Sequence, residues 1–203
     1  MNVIIIGASG FGAEVAWVGQ RAGFDVVGFC DDDVAKQSGS FVGRPQLGTI
    51  ERAGETLGRE VRFHVAVGNN RARQRLTERA DHLGWKALTI ADPSAICAPD
   101  AVLGEGCYIG IGSVISCGST LGRGVIVNHH VTVGHDCAVG EFAQLCPGVR
   151  VSGSCRIGAG ALLGSNAVTL PGRKVGVWAT LGAGGLALRD IPDGESRVRI
   201  QHG

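Results

Sequence analysis

Hydrophobic residues recur at every sixth position from residue 103 to residue 187, and this register never slips. Thirteen of its fifteen positions are Leu, Ile or Val, and the fifth residue of each hexad is Cys, Ser, Val, Ala or Gly thirteen times. Neither a helix, with a period of about 3.6, nor a strand, with a period of about 2, keeps such a register. A parallel β-helix does, because every coil repeats the same inward and outward positions. We expect about eighteen residues per coil, about five coils, and direct stacking of residues eighteen apart.

A different pattern occupies the first 90 residues. Apolar runs at 3–6, 26–30, 61–67 and 86–90 predict strands, and they alternate with helical spacing at 13–22, at 50–57 and in a segment that ends near residue 83. Such alternation indicates a small parallel sheet with crossover helices. We therefore predict an α/β Rossmann-like domain over residues 1–90 and an all-β domain, a parallel β-helix, over residues 91–203.

Charge and composition exclude several classes of partner. The formal net charge of +1 removes the electrostatic case for a nucleic acid or an anionic membrane. The four arginines between residues 70 and 79 have helical spacing, and most of them are interpreted as a solvated helix face. No apolar run reaches about 18 residues, and the N-terminus lacks a basic segment, so we expect neither a membrane span nor a signal peptide. The prediction is a cytoplasmic protein.

Seven cysteines make an odd number, which argues against a closed disulfide framework. Cys107, Cys137 and Cys155 fall at the small fifth position of a hexad, where they act as small core residues. A reducing compartment is expected. The spacing of cysteines and histidines matches no zinc site, so no metal is predicted.

The most informative polar residue is His135, at the third position of a hexad and outside the apolar interior. The eighteen-residue period stacks it between Cys117 and Gly153. A histidine beside a glycine has an open pocket over it, and neutral imidazole can accept a proton. Asp136 follows at a turn position and is placed to orient the ring. Two polar residues on a solvated corner are the alternative; the stacked glycine and the nearby 128–130 segment, Asn-His-His, favour a site.

His129 lies one hexad before His135 and therefore on a neighbouring face. It can share a cleft with His135 only if a second chain brings the two together. A substrate-binding role and a plain interface role both stay open for His129, whereas His130 is interpreted as structural.

The glycine-rich turn at residues 7–12 follows a strand and opens a helix, which suits a phosphate. Its spacing is GxxGxG rather than GxGxxG. Asp31, Asp32 and Asp33 end the next strand, where an acid can bind a ribose or a base edge. Since about ninety residues make only half of a dinucleotide domain, one nucleotide moiety fits better than two.

Together these features resemble the bacterial sugar acyltransferases that join a small Rossmann-like domain to a left-handed parallel β-helix. That family includes N-acetyltransferases for nucleotide-linked amino sugars and the sialic acid O-acetyltransferase type. The resemblance covers nearly the whole chain, to about residue 193. It is carried by residues 7–12, 31–32, 68–70, Arg73, Asn128, 135–137, the hexads and 189–192.

The resemblance implies an acetyl-CoA-dependent homotrimer with the cofactor in a groove between neighbouring prisms. It implies His135 as general base, Asp136 as its partner, and the Gly153 N–H as donor to the thioester oxygen. The implied substrate-binding residues are Gly10, Phe11, Gly12, Asp31, Asp32, Gly68, Asn69, Asn70, Arg73, Asn128 and His129. The implied cofactor-binding residues are Gln144, Gly153, Gly164, Gly182 and Ala183.

Three positions depart from the family pattern. Phe11 stands where many relatives have His, so a sugar-phosphate contact of those relatives is not expected here. Gln144 replaces a His of some relatives, which changes one substrate or cofactor contact. Residues 196–203 replace the usual Gly-x-Pro-Ala ending, which changes the expected contacts to the adenine end of CoA.

The function implied is direct transfer of acetyl from acetyl-CoA to the amino group of a nucleotide-linked amino sugar. Three alternatives are retained: acetyl transfer to a sugar hydroxyl, a nicotinamide-dependent oxidoreductase suggested by the N-terminal turn, and a non-catalytic binding scaffold. Cysteine nucleophiles are not expected, because the fifth-position cysteines face inward.

Overall fold

The structure is a computed structural model that describes residues 1–198, so the last five residues of the atypical C-terminal segment lie outside the described part. The chain divides into two compact units, Met1–Asp92 and Pro93–Gly203. No helix of the described residues is long and apolar enough to cross a membrane.

The first unit is a small parallel sheet with helices. Its elements are β1 (Asn2–Ile6), α1 (Gly10–Arg21), β2 (Asp25–Cys30), a 3-10 turn (Val34–Lys36), β3 (Ser40–Phe41), β4 (Arg44–Pro45), α2 (Ile50–Leu57), β5 (Arg62–Val65), α3 (Asn70–His82), β6 (Lys86–Ala87) and β7 (Ile90–Ala91). The sheet order is β2-β1-β5-β6, and all three pairings are parallel. The strands and crossover helices confirm the predicted α/β unit.

Central strand β1 is apolar on both faces because helices or loops cover both, as in other parallel sheets. Its residues from Val3 to Ile6 are at most 2% exposed. Helix α1 begins at Gly10, three residues earlier than predicted. Gly12 allows this start, since a Cβ there would collide with the Gly7 carbonyl oxygen.

His64 lies in β5 and gives a testable pH dependence. Burial lowers the pKa of its imidazole from 6.5 to about 4, although a hydrogen bond to the Leu88 carbonyl (2.9 Å) opposes the shift. Between about pH 6.5 and 4 the unfolded chain therefore binds a proton that the folded chain does not, and stability falls as the pH falls. We expect a loss of about 1.4 kcal/mol per pH unit in that window.

Thermal or urea unfolding from pH 7 to 4.5 measures this effect. His64→Gln, which can still donate to Leu88 but does not titrate, should show a shallower slope than the natural chain. The pKa of Glu51 is lowered to about 2, chiefly by its hydrogen bond from Arg79. Glu51 therefore changes the stability with pH only below about pH 4.5, outside the range of this measurement. Equal slopes for the two proteins would contradict the assignment.

The second unit is a parallel β-solenoid of two-residue strands. They are β8 (Ile96–Cys97), β9 (Val102–Leu103), β10 (Tyr108–Ile109), β11 (Val114–Ile115), β12 (Thr120–Leu121), β13 (Ile126–Val127), β14 (Thr132–Val133), β15 (Ala138–Val139), β16 (Gln144–Leu145), β17 (Arg150–Val151), β18 (Arg156–Ile157), β19 (Leu162–Leu163), β20 (Val168–Thr169), β21 (Lys174–Val175), β22 (Thr180–Leu181), β23 (Leu186–Ala187) and β24 (Ser196–Arg197).

These strands form three faces. Counting only strands of the second unit, face I contains β8, β11, β14, β17, β20 and β23; face II contains β9, β12, β15, β18 and β21; face III contains β10, β13, β16, β19, β22 and β24. Pairs such as Val133 with Val151 are eighteen residues apart, which confirms the predicted period. The six strands of face I make about six turns, one more than expected.

The interior is as the hexad register predicts. Of the fifteen register positions all but Leu103 are buried, because each coil places its aliphatic side chain in the same narrow interior. The eighteen-residue register holds to Ala187. The last turn is two residues shorter, since Thr180 pairs with Ser196.

Candidate active site

The predicted catalytic residues lie in one column of turns between face I and face II. This column, the histidine corner, comprises residues 116–119, 134–137, 152–155 and 170–173. His135 projects from it with a side chain that is 66% exposed, and its Nδ1 lies 2.8 Å from Asp136 Oδ2. A carboxylate only accepts hydrogen bonds, so the shared proton is assigned to Nδ1. That tautomer leaves a lone pair on Nε2, which faces away from Asp136.

Asp136 occupies a left-handed backbone conformation, with φ of 57°. The residue one coil earlier is Gly118, where a Cβ would come within 2.6 Å of Asp136 Oδ1. Main-chain bonds between coils fix the turn: Asp136 N–H donates to the Cys117 carbonyl (2.9 Å) and Ser154 N–H donates to the His135 carbonyl (2.8 Å). The carboxylate therefore has space only because the coil beside it carries glycine.

Two residues that sequence reasoning missed hold this turn. Ser119 is fully buried; its hydroxyl donates to the Gly134 carbonyl (2.7 Å) and accepts from Cys137 N–H (3.1 Å). From the next coil, Arg156 donates to the Asp136 carbonyl (2.6 Å). The only sequence signal for Ser119 is its place eighteen residues before Cys137.

Gly153 lies directly against the His135 ring, as the eighteen-residue period predicts. A Cβ on Gly153 would come within 2.7 Å of His135 Cε1 and within 2.9 Å of Cδ2, and still closer to Nε2. The Gly153 N–H donates to no acceptor within residues 1–198. The imidazole of His135, a proton acceptor, and Gly153, whose N–H is a main-chain donor, are therefore neighbours on the solvent-exposed surface of the solenoid.

The remaining predicted residues of the solenoid lie elsewhere on it. The asparagine corner, between face III and face I, comprises residues 110–113, 128–131, 146–149, 164–167 and 182–185. It carries Asn128, His129, Gly164, Gly182 and Ala183, whereas Gln144 lies on face III in β16. Asn128 is 8% exposed and Ala183 is exposed. Within one chain, this corner and the histidine corner are different edges of the solenoid, separated by face I.

The predicted substrate residues of the first unit gather at the carboxyl edge of its sheet. Asp31 Oδ2 accepts from Ala8 N–H (2.8 Å) and its Oδ1 from Asp33 N–H (2.9 Å). Both oxygens of Asp32 accept from Arg79, at 2.6 and 3.1 Å. Both predicted acids are thus already held by donors of the protein.

Arg73 also differs from its expected role. Its side chain is 1% exposed, and the guanidinium donates to the Val67 carbonyl (2.9 Å) and to Asn70 Oδ1 (3.0 Å). Such a buried side chain shapes the loop after β5 instead of reaching solvent. The interpretation of the arginine stretch as a solvated face is wrong for Arg73, whereas Arg79 stays partly exposed and forms surface ion pairs with Asp32 and Glu51.

The glycine turn and the start of α3 complete this edge. Gly10 is exposed with open space beside it, whereas Gly12 is buried against Gly7. The half-buried Phe11 lies between them. Gly68 and Asn69 are exposed, and Asn69 caps α3 by accepting from Ala72 N–H (2.9 Å).

A pocket of about 90 Å³ opens at the same edge. Its lining residues are Ile6, Gly7, Asp31, Asp32, Ile50, Val67 and Leu76. Carboxylates on one side and aliphatic side chains on the other suit a small organic ring that carries N–H or O–H donors. Within residues 1–198 no group of three or more His, Cys, Asp or Glu side chains could hold a metal ion.

Comparisons with known proteins relate the whole chain to sugar-modifying acetyltransferases. The sequence profile of the PglD N-terminal domain family matches residues 2–80. The acetyltransferase domain of PglB from Neisseria gonorrhoeae, solved with acetyl coenzyme A, is 36% identical, with a TM-score of 0.90 over 98% of this chain and 96% of that one. PerB from Caulobacter crescentus, solved with CoA and GDP-perosamine, is 32% identical, with a TM-score of 0.90 over 98% of this chain and 94% of that one.

WeeI from Acinetobacter baumannii is 22% identical, with a TM-score of 0.83 over 98% of this chain and 97% of that one. At that identity the likeness extends to the fold alone. No curated protein sequence matches the chain.

Proposed function

The chain belongs to the sugar acyltransferase family, and from that membership we propose that it transfers acetyl from acetyl-CoA to the amino group of a nucleotide-linked amino sugar. The observation that carries the proposal is the place of His135, with Nδ1 on Asp136 and the ring, Nε2 included, in the space that a side chain on Gly153 would occupy. PglB was solved with acetyl-CoA and PerB with CoA and a GDP-linked sugar, which supports the same pair of substrates here.

His135 acts as the general base. The sugar amine attacks the thioester carbonyl carbon, so a C–N bond forms while the amine loses its proton to Nε2. The C–S bond then breaks, and the proton passes from the imidazole to the sulfur of CoA. General-base help of this kind is typically worth about 10²–10⁴-fold in rate.

Gly153 contributes in two ways. Its missing side chain leaves room for the ring of His135 and for the reacting carbonyl group. Its N–H donates to the oxygen that becomes negative as the amine adds, a contact typically worth about 10²–10³-fold. Asp136 holds the ring in the tautomer that keeps Nε2 basic.

The nucleotide-sugar binds at the carboxyl edge of the first unit, where the residue 7–12 turn, the Asp31 and Asp32 pair and the residue 68–70 loop meet. The pocket there supports this placement. Asp31 and Arg73 shape that site from within, through the turn and the loop that they hold.

We further propose a homotrimer in which the cofactor site is shared between neighbouring chains. Face I separates the two corners that carry predicted site residues, so a second chain is needed to bring His129, Gly164 and Ala183 near His135. The outward residues at the two ends of face I, Ile96 and Leu186, are 65% and 51% exposed, and burial of such side chains would favour assembly.

The seven free thiols fit the reducing cytoplasm that the sequence predicts.

Thiol release measured with Ellman reagent tests the reaction. We expect acetyl-CoA to be consumed with UDP-, GDP- or dTDP-linked amino sugars, because a neutral amine is a much better nucleophile than a hydroxyl toward a thioester. Matched nucleotide sugars with a hydroxyl in place of the amine serve as controls and should release little thiol. Preferential use of hydroxyl acceptors, sialic acid included, would instead favour O-acetylation.

A further inference from the structure

A cluster of three charged side chains lies at the carboxyl edge of the first unit, and two of them, Glu51 and Arg79, have no part in the function proposed so far. Arg79, on α3, donates to both oxygens of Asp32, which follows β2, at 2.6 and 3.1 Å. It also donates to both oxygens of Glu51, in the first turn of α2, at 2.8 Å each. One guanidinium thus ties three elements together, through partners 47 and 28 residues away in sequence.

This cluster borders the pocket described above. Asp32 lines the pocket directly, and so does Ile50, the neighbour of Glu51. Leu76, one turn before Arg79 on α3, closes the apolar side. The three elements that Arg79 ties are therefore elements that form the pocket wall.

Four carboxylates surround this edge, those of Asp31, Asp32, Asp33 and Glu51. Lys36 lies 3.7 Å from Asp31 and 3.5 Å from Asp33. Arg79 pairs with the other two, Asp32 and Glu51. Its hydrogen bond is the main reason why the pKa of Glu51 is lowered to about 2. Without Arg79, the carboxylates of Asp32 and Glu51 would stand uncompensated at the rim.

A nucleotide-linked sugar carries a diphosphate, which is repelled by uncompensated carboxylates within a Debye length of about 8 Å at physiological salt. We propose that Arg79 is a positioning residue of the nucleotide-sugar site: it holds Asp32 at the rim and offsets the charge of Asp32 and Glu51, so that an acidic rim admits an anionic ligand. This role rests on the proposed function. A plain stabilising ion pair is the alternative, and it would affect unfolding without a selective effect on one substrate.

Steady-state kinetics with both substrates separate these possibilities. Arg79→Gln should raise the KM for the nucleotide-sugar about tenfold, since one unit of charge is lost near the diphosphate. Its kcat and its KM for acetyl-CoA should stay within about twofold of the natural chain, because the histidine corner is untouched. Arg75→Gln, at an exposed position on the same helix, is the matched control and should leave all three values unchanged.

Charge compensation provides the sharper test. Arg79→Gln combined with Glu51→Gln restores the net charge of the cluster, so we expect most of the lost affinity to return. Arg79→Lys keeps the charge, so its KM for the nucleotide-sugar should stay within about threefold of the natural value. If circular dichroism shows that Arg79→Gln folds poorly, Arg79→Lys still tests the role of the charge. The KM gap between Arg79→Gln and the natural chain should narrow as salt is raised.

An unchanged nucleotide-sugar KM in Arg79→Gln would overturn this role, as would a double variant no better than the single one. If the natural chain itself released no thiol with any nucleotide-linked amino sugar, the proposed function would fall and the role of Arg79 with it. If the natural chain is active and Arg79→Gln has a normal KM for the nucleotide-sugar, only the role of Arg79 is contradicted and the proposed function stands.

Discussion

Replacing His135 by alanine is expected to lower kcat at least about a hundredfold while the chain stays folded. The loss follows because Nε2 of His135 is the proton acceptor beside Gly153, and no second imidazole projects from the histidine corner. Folding should survive because the side chain is 66% exposed and its main hydrogen bond is to a neighbouring side chain. Thiol release at saturating substrates gives kcat, and circular dichroism reports the fold.

His130→Asn is the matched control. His130 is an exposed histidine in a turn of the asparagine corner, with φ of 55°, and asparagine tolerates that conformation. Its kcat should remain within about twofold of the natural value. Near-normal turnover in His135→Ala would remove His135 from the mechanism, and an equal loss in both variants would point to damage of the solenoid instead.

Replacing Gly153 by alanine is the second large effect, with an expected fall in kcat of about a hundredfold. The added methyl group would overlap the His135 ring, reaching within 2.7 Å of Cε1, so the imidazole must leave its position against Gly153. The backbone itself accepts alanine, because Gly153 is not among the residues with positive φ. We therefore expect a misplaced base in a folded chain.

Ser152→Ala, one residue earlier in the same turn, tests whether any change there is harmful and should leave kcat near normal. A crystal structure of Gly153→Ala would reveal the displaced ring directly. If the alanine variant turned over normally, neither the ring position nor the space above Gly153 would matter for the reaction.

The solenoid could be predicted from the sequence because each hexad position has one environment throughout. Residues such as Val133 and Leu163 meet the same narrow interior on every coil, so the pattern repeats in the amino acids themselves. The same period predicts that Gly153 lies against His135, and the structure confirms that contact.

The details of the first unit could not be predicted in this way. Whether an arginine of α3 is solvated, buried or paired depends on partners far away in sequence: Arg73 is buried under the loop after β5, and Arg79 pairs across 47 residues. Helical spacing carries no information on such partners. The hexad pattern likewise indicates only that position 119 holds a small residue, and it does not reveal that the Ser119 hydroxyl donates to the Gly134 carbonyl.

The central claim is that His135 removes the proton of a sugar amine as acetyl moves from the thioester to nitrogen. The most direct test incubates the enzyme with acetyl-CoA labelled with carbon-13 in the acetyl group and a nucleotide-linked amino sugar, then locates the label by NMR and mass spectrometry. The account predicts one labelled amide on the sugar nitrogen with the natural chain, and at most traces with His135→Ala over the same time. Label on a sugar oxygen, or equal amide formation by both proteins, would contradict it.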